Sequence, residues 1–217
     1  MLSFPIPASD FWAGLRVASA RFRLGGNVIQ SRSGSGEVLT SRRGARLWGA
    51  TVALTPMRNR EAESVMAYLD MLSDAGTTMM AHPMPVYSPA HDPYGAMLAG
   101  ASPTISTLSA NGVEMRIDGL PPNFVLARGE FIAFSYGSPA RYALHRIVSA
   151  GGAATSLGLS PLLEVRPSIR PGAVTGAAVT LYRPAIKAVI VPGSINYGAA
   201  EAGISSGPQF EILQTLR

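Results

Sequence analysis

Residues 42–56 read Arg-Arg-Gly-Ala-Arg-Leu-Trp-Gly-Ala-Thr-Val-Ala-Leu-Thr-Pro, a basic turn feeding an uncharged strand that stops at a helix-start signal. In a strand successive side chains alternate between faces, so Trp48, Ala50, Val52 and Leu54 share one face and Leu47, Gly49, Thr51 and Ala53 the other. Neither face carries a charge, and both are expected to be covered. The flanks are lopsided. Residues 11–60 hold nine arginines against a single acid, Glu37. An acidic partner or water must face those arginines, which points to assembly more than to chemistry.

Thr55-Pro56 offers an N-cap type residue with a proline at or near the first helical position, and Ala62, Val65, Met66, Leu69 and Leu72 then mark one helical face that Gly76 is placed to end. Upstream, Phe22 and Leu24 alternate with Arg21 and Arg23, residues 31–36 form a Ser/Gly loop, and Val38-Leu39 resumes a strand, so the first 55 residues predict an antiparallel meander or set of hairpins.

Prolines at 83, 85, 89, 93 and 103 break residues 81–103 into a connector or domain boundary. Beyond it, Val113, Met115 and Ile117 alternate with Glu114, Arg116 and Asp118, the clearest period-two pattern in the chain. Strands over 131–136 and 142–148 flank Gly137-Ser138-Pro139-Ala140 as a hairpin, and 162–165 and 178–182 add two more. About five strands in roughly 80 residues is the size of a small barrel. Residues 186–191 and 210–216 are strand-like again. The strand-and-helix part before the proline-rich stretch and the barrel-sized part after it are therefore separable.

Charged residues make up 14% of the chain, against about 25% in ordinary globular proteins, which suggests a surface partly covered by partners. Lys187 is the single lysine beside seventeen arginines. Arg suits packed interfaces because its planar fork pairs with carboxylates and stacks on aromatics, although codon bias in a GC-rich genome gives the same skew. The absence of cysteine excludes disulfides, thiol catalysis and Cys-ligated metals. No basic, then apolar, leader opens the chain and no window approaches eighteen apolar residues, so a soluble intracellular product without membrane insertion is expected.

Catalytic, cofactor and metal sites are expected to be none. His82, His91 and His145 are scattered, with Asp92 the only acid adjoining one of them, and metal-ligand spacing is missing. Ser33-Gly34-Ser35-Gly36 lacks the strand-elbow-helix setting of a nucleophile and the Gly-Lys-Ser/Thr of a phosphate loop. The arginines at 32, 42, 43 and 46 admit three readings: phosphate contact, an inter-subunit salt-bridge surface, or a solvated face. Aromatics are not interleaved with them and no helix-turn-helix or zinc signature appears, so sequence-specific nucleic-acid binding is not expected. Trp12 and Trp48 suit core or interface anchors, and Tyr87, Tyr94, Tyr136 and Tyr142 suit either packing or sugar contact.

The order of several short motifs resembles the distal tail proteins of long-tailed bacteriophages and of tail-like gene transfer agents. In the first part they are Phe11-Trp12, Gln30-Ser31, Gly44-Ala45-Arg46-Leu47-Trp48, Pro56-Met57 with the amphipathic helix, and Gly76-Thr77. In the second they are residues 126–134, Ala143-Leu144-His145-Arg146-Ile147, residues 164–170 and Leu181-Tyr182-Arg183-Pro184. Glu130 stands where family members often carry Asp. The resemblance implies a virion structural protein at the distal end of the tail, made in the host cytoplasm. It implies a mainly β chain, with a ring-forming β-sandwich and one α-helix, residues 1–102 with 185–217, interrupted by a small β-barrel-like inserted domain, residues 103–184. Six copies would close a homohexameric ring joining the tail tube protein to the hub or baseplate, beside the tape measure protein, with a central channel for DNA. Under that reading Arg42, Arg43, Arg46 and Trp48 are the expected subunit-interface residues, and the insert is a place for host glycans. A tail-tube or hub subunit, or a carbohydrate-binding module, are the alternatives.

Overall fold

A computed structural model describes residues 3–26, 28–84 and 88–217, with the side chain of Arg42 excepted. The chain is mainly β, with 39% of residues in strands and 10% helical, as the alternating patterns predict. Its first part runs α1 (Ala8–Ala13), β1 (Val17–Leu24), β2 (Val28–Arg32), β3 (Val38–Arg42), β4 (Trp48–Leu54), β5 (Met57–Arg58), α2 (Asn59–Ser73) and β6 (Met79–Ala81). The middle part is β7 (Thr104–Leu108), β8 (Glu114–Asp118), β9 (Val125–Ala127), β10 (Phe131–Tyr136), β11 (Arg141–Ile147), β12 (Gly151–Ala153), β13 (Leu163–Arg166) and β14 (Val179–Thr180). The chain returns through β15 (Ile186–Ile190), β16 (Ala200–Glu201), β17 (Ile204–Ser205) and β18 (Gln209–Gln214).

The first and last parts share one five-stranded sheet, ordered β1-β4-β18-β15-β6, which curves as a half-barrel. Its far edge is continued by Ile6, whose backbone pairs beside Met79. The middle part is a nearly closed barrel ordered β14-β10-β11-β13-β8-β7. A bridge between Thr104 and Ala178, with the Val179 N–H on the Pro103 carbonyl at 2.8 Å, ties its first strand back toward its last. In β8 the period-two pattern does what it promises: Met115 and Ile117 are buried while Glu114, Arg116 and Asp118 are half-exposed.

Each part has its own apolar core. Phe11, Trp48, Val52, Leu69, Leu72, Met79, Ile186 and Phe210 fill the first, and Ile105, Met115, Ile117, Phe124, Ile132, Ile147 and Val165 fill the second. The cores are not independent, because Phe131, Ala133 and Leu144 of β10 and β11 pack into the first one.

One sequence expectation is narrowed and three need correction. Of the meander and the hairpin set that the pattern allowed, the N-terminal strands take the second, nested: β1 pairs with β4, and β2 with β3, so the four form one long hairpin interrupted near residues 25–26 and 43–47. There are two helices instead of one, because Pro7 and Gly14 bracket a short turn of helix that buries Phe11 and Trp12. The long helix starts at Asn59 and not at Pro56, because Met57 and Arg58 first pair with Ser205 and Ile204. Finally, only one face of β4 is covered within the chain. Trp48, Ala50, Val52 and Leu54 are buried, whereas Thr51 is exposed and Gly49 and Ala53 half-exposed. A face made of small side chains carries little apolar surface, so lacking charge is a weaker signal for burial than Trp, Val and Leu are.

Candidate assembly surfaces

Trp48 lies where the two parts meet. Its side chain is 1% exposed. The indole Nε1–H donates to the Leu144 carbonyl of the barrel at 2.6 Å, and the ring meets Phe131 edge-on at 5.4 Å between centroids. The Arg146 guanidinium lies 4.4 Å from the Phe131 ring and 5.4 Å from the Trp48 ring, a distance at which the charge gains from both π faces. Burial, and Arg21 nearby, pull the Arg146 pKa below its ordinary value, but a guanidinium stays charged. Gln214, itself buried, fastens the same place: its Oε1 accepts the Trp48 backbone N–H at 3.2 Å and its Nε2 donates to the Tyr142 carbonyl at 2.9 Å. Trp48 is thus an anchor, and what it anchors is the barrel of its own chain.

The three arginines separate. Arg46 is half-buried and turned inward along the hairpin, its Nε donating to the Gly25 carbonyl at 3.0 Å and a terminal nitrogen to Leu24 at 3.4 Å. Its own carbonyl accepts from Arg170 at 3.2 Å. Arg43 is exposed, and the Arg42 side chain lies outside the described residues. Among the described residues two ion pairs are formed, Arg16 with Glu61 at 2.9 Å and Arg166 with Glu164 at 2.6 Å. Both are solvent-exposed, so each contributes little stability.

Among the described residues two surfaces lack cover from the chain itself. One is the outward side of the half-barrel, where Arg21, Thr51 and Glu211 stand in one row and Arg23, Gly49 and Leu213 in the next. They line an open trough of about 420 Å³. The other is the arm formed by β2 and β3. Ser33 closes its tip, its N–H donating to the Glu37 carbonyl and its carbonyl accepting from Gly36, both at 2.9 Å. Gly36, at φ 83°, takes the left-handed conformation that such a turn needs. Val28, Ile29, Val38 and Leu39 on this arm are 46–55% exposed.

No protein-family model and no curated protein matches this sequence.

The remaining candidates are structural within the chain. Asp92 is buried with Oδ2 accepting the Leu98 N–H at 3.0 Å, while its neighbour His91 is exposed and accepts from Val125 at 3.3 Å, so the pair is not a joint site. His145 is 1% exposed, stacked on Phe134 at 5.2 Å, with Nδ1 2.8 Å from the Pro167 carbonyl. Burial lowers its pKa to about 4 against the opposing pull of that carbonyl, with Arg170 also lowering it. Burial likewise lowers His82, which packs near Trp12. Among the described residues no group of three or more His, Asp or Glu is placed to hold a metal, and no helix is long and apolar enough to cross a membrane. Trp12 and Trp48 are both buried, Tyr136 is buried, Tyr142 is half-buried, Tyr94 is 87% exposed, and Tyr87 lies outside the described residues.

Sequence reasoning missed Glu130 as a clamp. Its buried carboxylate accepts the Ala90 N–H at 2.8 Å and the Ala127 N–H at 2.9 Å, tying the proline-rich connector to the barrel. The signal was available: an acid followed by the apolar run 131–134 is a charge entering a core, which is tolerated only with partners.

Proposed function

We propose that this chain is a structural subunit of a phage-type tail, a distal adaptor whose copies close a ring between the tail tube and the hub. The observation that carries an assembly role is the β2–β3 arm. A two-stranded ribbon on its own is marginal in water, and this one holds four branched apolar side chains about half in solvent. A second copy or a partner protein is the natural cover. The low charge content and the arginine excess between residues 11 and 60 point the same way. The kind of assembly, six copies around a DNA channel, comes from the ordered motifs that resemble the distal tail proteins. A barrel held between β6 and β15 of a sheet-and-helix body agrees with that order.

Rotational closure above twofold needs two different complementary patches on each copy. The arm and the open sheet trough are two such patches in kind. Native mass spectrometry of the purified chain tests the reading, with six copies expected. Imaging tail particles with the chain labelled then separates an adaptor, found once at the tail end, from a tube subunit repeated along it. A chain that stays monomeric at millimolar concentration and is absent from particles overturns the proposal.

A further inference from the structure

The arm has two unlike sides. Directly opposed residues in an antiparallel pair share a face. Ile29 faces Ser41 and Ser31 faces Leu39, which makes one side of the ribbon free of charge. Gln30 opposite Thr40 and Arg32 opposite Val38 give the other side, where Arg32 stands. At the arm's base Arg43 is exposed, and at its tip Glu37 is the one acid. The basic arm leaves β1 and β4 at their Leu24 and Trp48 ends. At the opposite ends of the same strands, beyond Val17 and Leu54, Arg16 pairs with Glu61 and α2 begins.

The exposed side of α2 has the opposite balance. Glu63, Ser64, Ala67, Asp70 and Asp74 are exposed along it, with Arg60 in its first turn. Asp70 accepts the Tyr197 hydroxyl, and Glu63 and Asp74 have no ion partner among the described residues. Small side chains at 64 and 67 leave room for branched apolar groups, and the acids on either side give the helix the charge opposite to that of the arm. Unlike surfaces at opposite ends of one molecule make a head-to-tail contact, which closes a ring or runs on as a stack.

We propose that the β2–β3 arm is the head-to-tail contact between copies of this chain, its charge-free Ile29/Leu39 side packing on Ser64 and Ala67 of α2 of the next copy while Arg43, at the arm's base, faces the neighbouring acids. The inference rests on the assembly reading above and names the contact that makes it.

The test uses the full chain in four samples followed by native mass spectrometry and sedimentation: wild type, an arm variant Ile29→Asp/Leu39→Asp, a helix variant Glu63→Arg/Asp74→Arg, and an equimolar mixture of the two variants. All four substituted positions are exposed, and an unchanged circular dichroism melt verifies that each variant is folded. Wild type is expected to assemble, and each variant to self-associate at least about tenfold more weakly, a loss typical of a disrupted contact centre. The mixture is expected to give a one-to-one heterodimer, because the helix variant keeps a good arm and the arm variant keeps a good helix. An arm variant that assembles like wild type overturns this contact and leaves the ring reading standing. Two weakened variants that form no heterodimer on mixing overturn the arm-to-α2 pairing. A wild type that is monomeric throughout overturns both.

Discussion

Replacing Trp48 tests whether the two cores are one cooperative unit. In Trp48→Phe the edge-on contact with Phe131 can be kept, but the indole N–H is lost and the Leu144 carbonyl, held at 2.6 Å in the wild type, is left buried without that donor. Leaving a buried acceptor unpaired costs roughly 1–3 kcal/mol. The smaller ring also removes part of the surface over which Arg146 lies, so a total of about 2–3 kcal/mol is expected. Trp48→Ala removes the whole side chain from a site that is 1% exposed, and roughly 3–5 kcal/mol is expected. Against a typical stability of about 5–15 kcal/mol either loss is easily read in urea unfolding. Trp12, in the first core, then remains as the single tryptophan reporter, and far-ultraviolet circular dichroism reports the whole chain. Because Phe131 and Leu144 belong to the first core, both probes should move together in wild type and shift together in the variants. A Trp48→Phe variant within about 0.5 kcal/mol of wild type would refute the assigned role of the indole hydrogen bond. Two separate transitions in wild type would refute the shared core.

Three further outcomes follow from single side chains. The buried His145 titrates near 4 while an unfolded imidazole titrates near 6.5, so the unfolded chain holds more protons between those values. Stability should be full above about pH 6.5 and fall by roughly 3 kcal/mol as pH drops to 4, a slope that His145→Phe should remove in urea titrations. Glu130→Ala strips two backbone N–H groups of a charged acceptor and should cost about 2–4 kcal/mol, with Glu130→Gln losing less because one acceptor oxygen remains; chemical denaturation reads both. Arg43→Glu should leave monomer stability within about 0.5 kcal/mol, whereas Arg46→Glu should lower it by about 1–2 kcal/mol by releasing the Gly25 and Leu24 carbonyls, so equal effects in a thermal melt would refute the inward role of Arg46.

Those arginines show what the sequence makes legible. Strands with strong alternation were readable, since Met115 and Ile117 or Trp48, Val52 and Leu54 each carry enough apolar area to dictate which face goes inward. The barrel in the middle was readable for the same reason, although several of its strands are two or three residues long and too short to show a period. Pairing partners were not. That β1 seeks β4 and leaves β2 to β3 depends on where the chain bends, near Gly25 and Gly26, and a bend is set by tertiary contacts such as Arg46 reaching across to Gly25. The residues expected at a subunit interface do not share one surface of the chain. Arg43, Arg46 and Trp48 stand within six positions of one another, yet one is exposed, one is turned along its own hairpin, and one is sealed against the barrel. Clustering in sequence measures proximity along the chain, and it says nothing of direction, because residues 43–47 form an irregular bend between β3 and β4 that turns each side chain its own way. On the proposed assembly, the residues fitted to face another molecule are those that a strand would ordinarily bury and that this chain leaves about half in water, Ile29 and Leu39 on the β2–β3 ribbon.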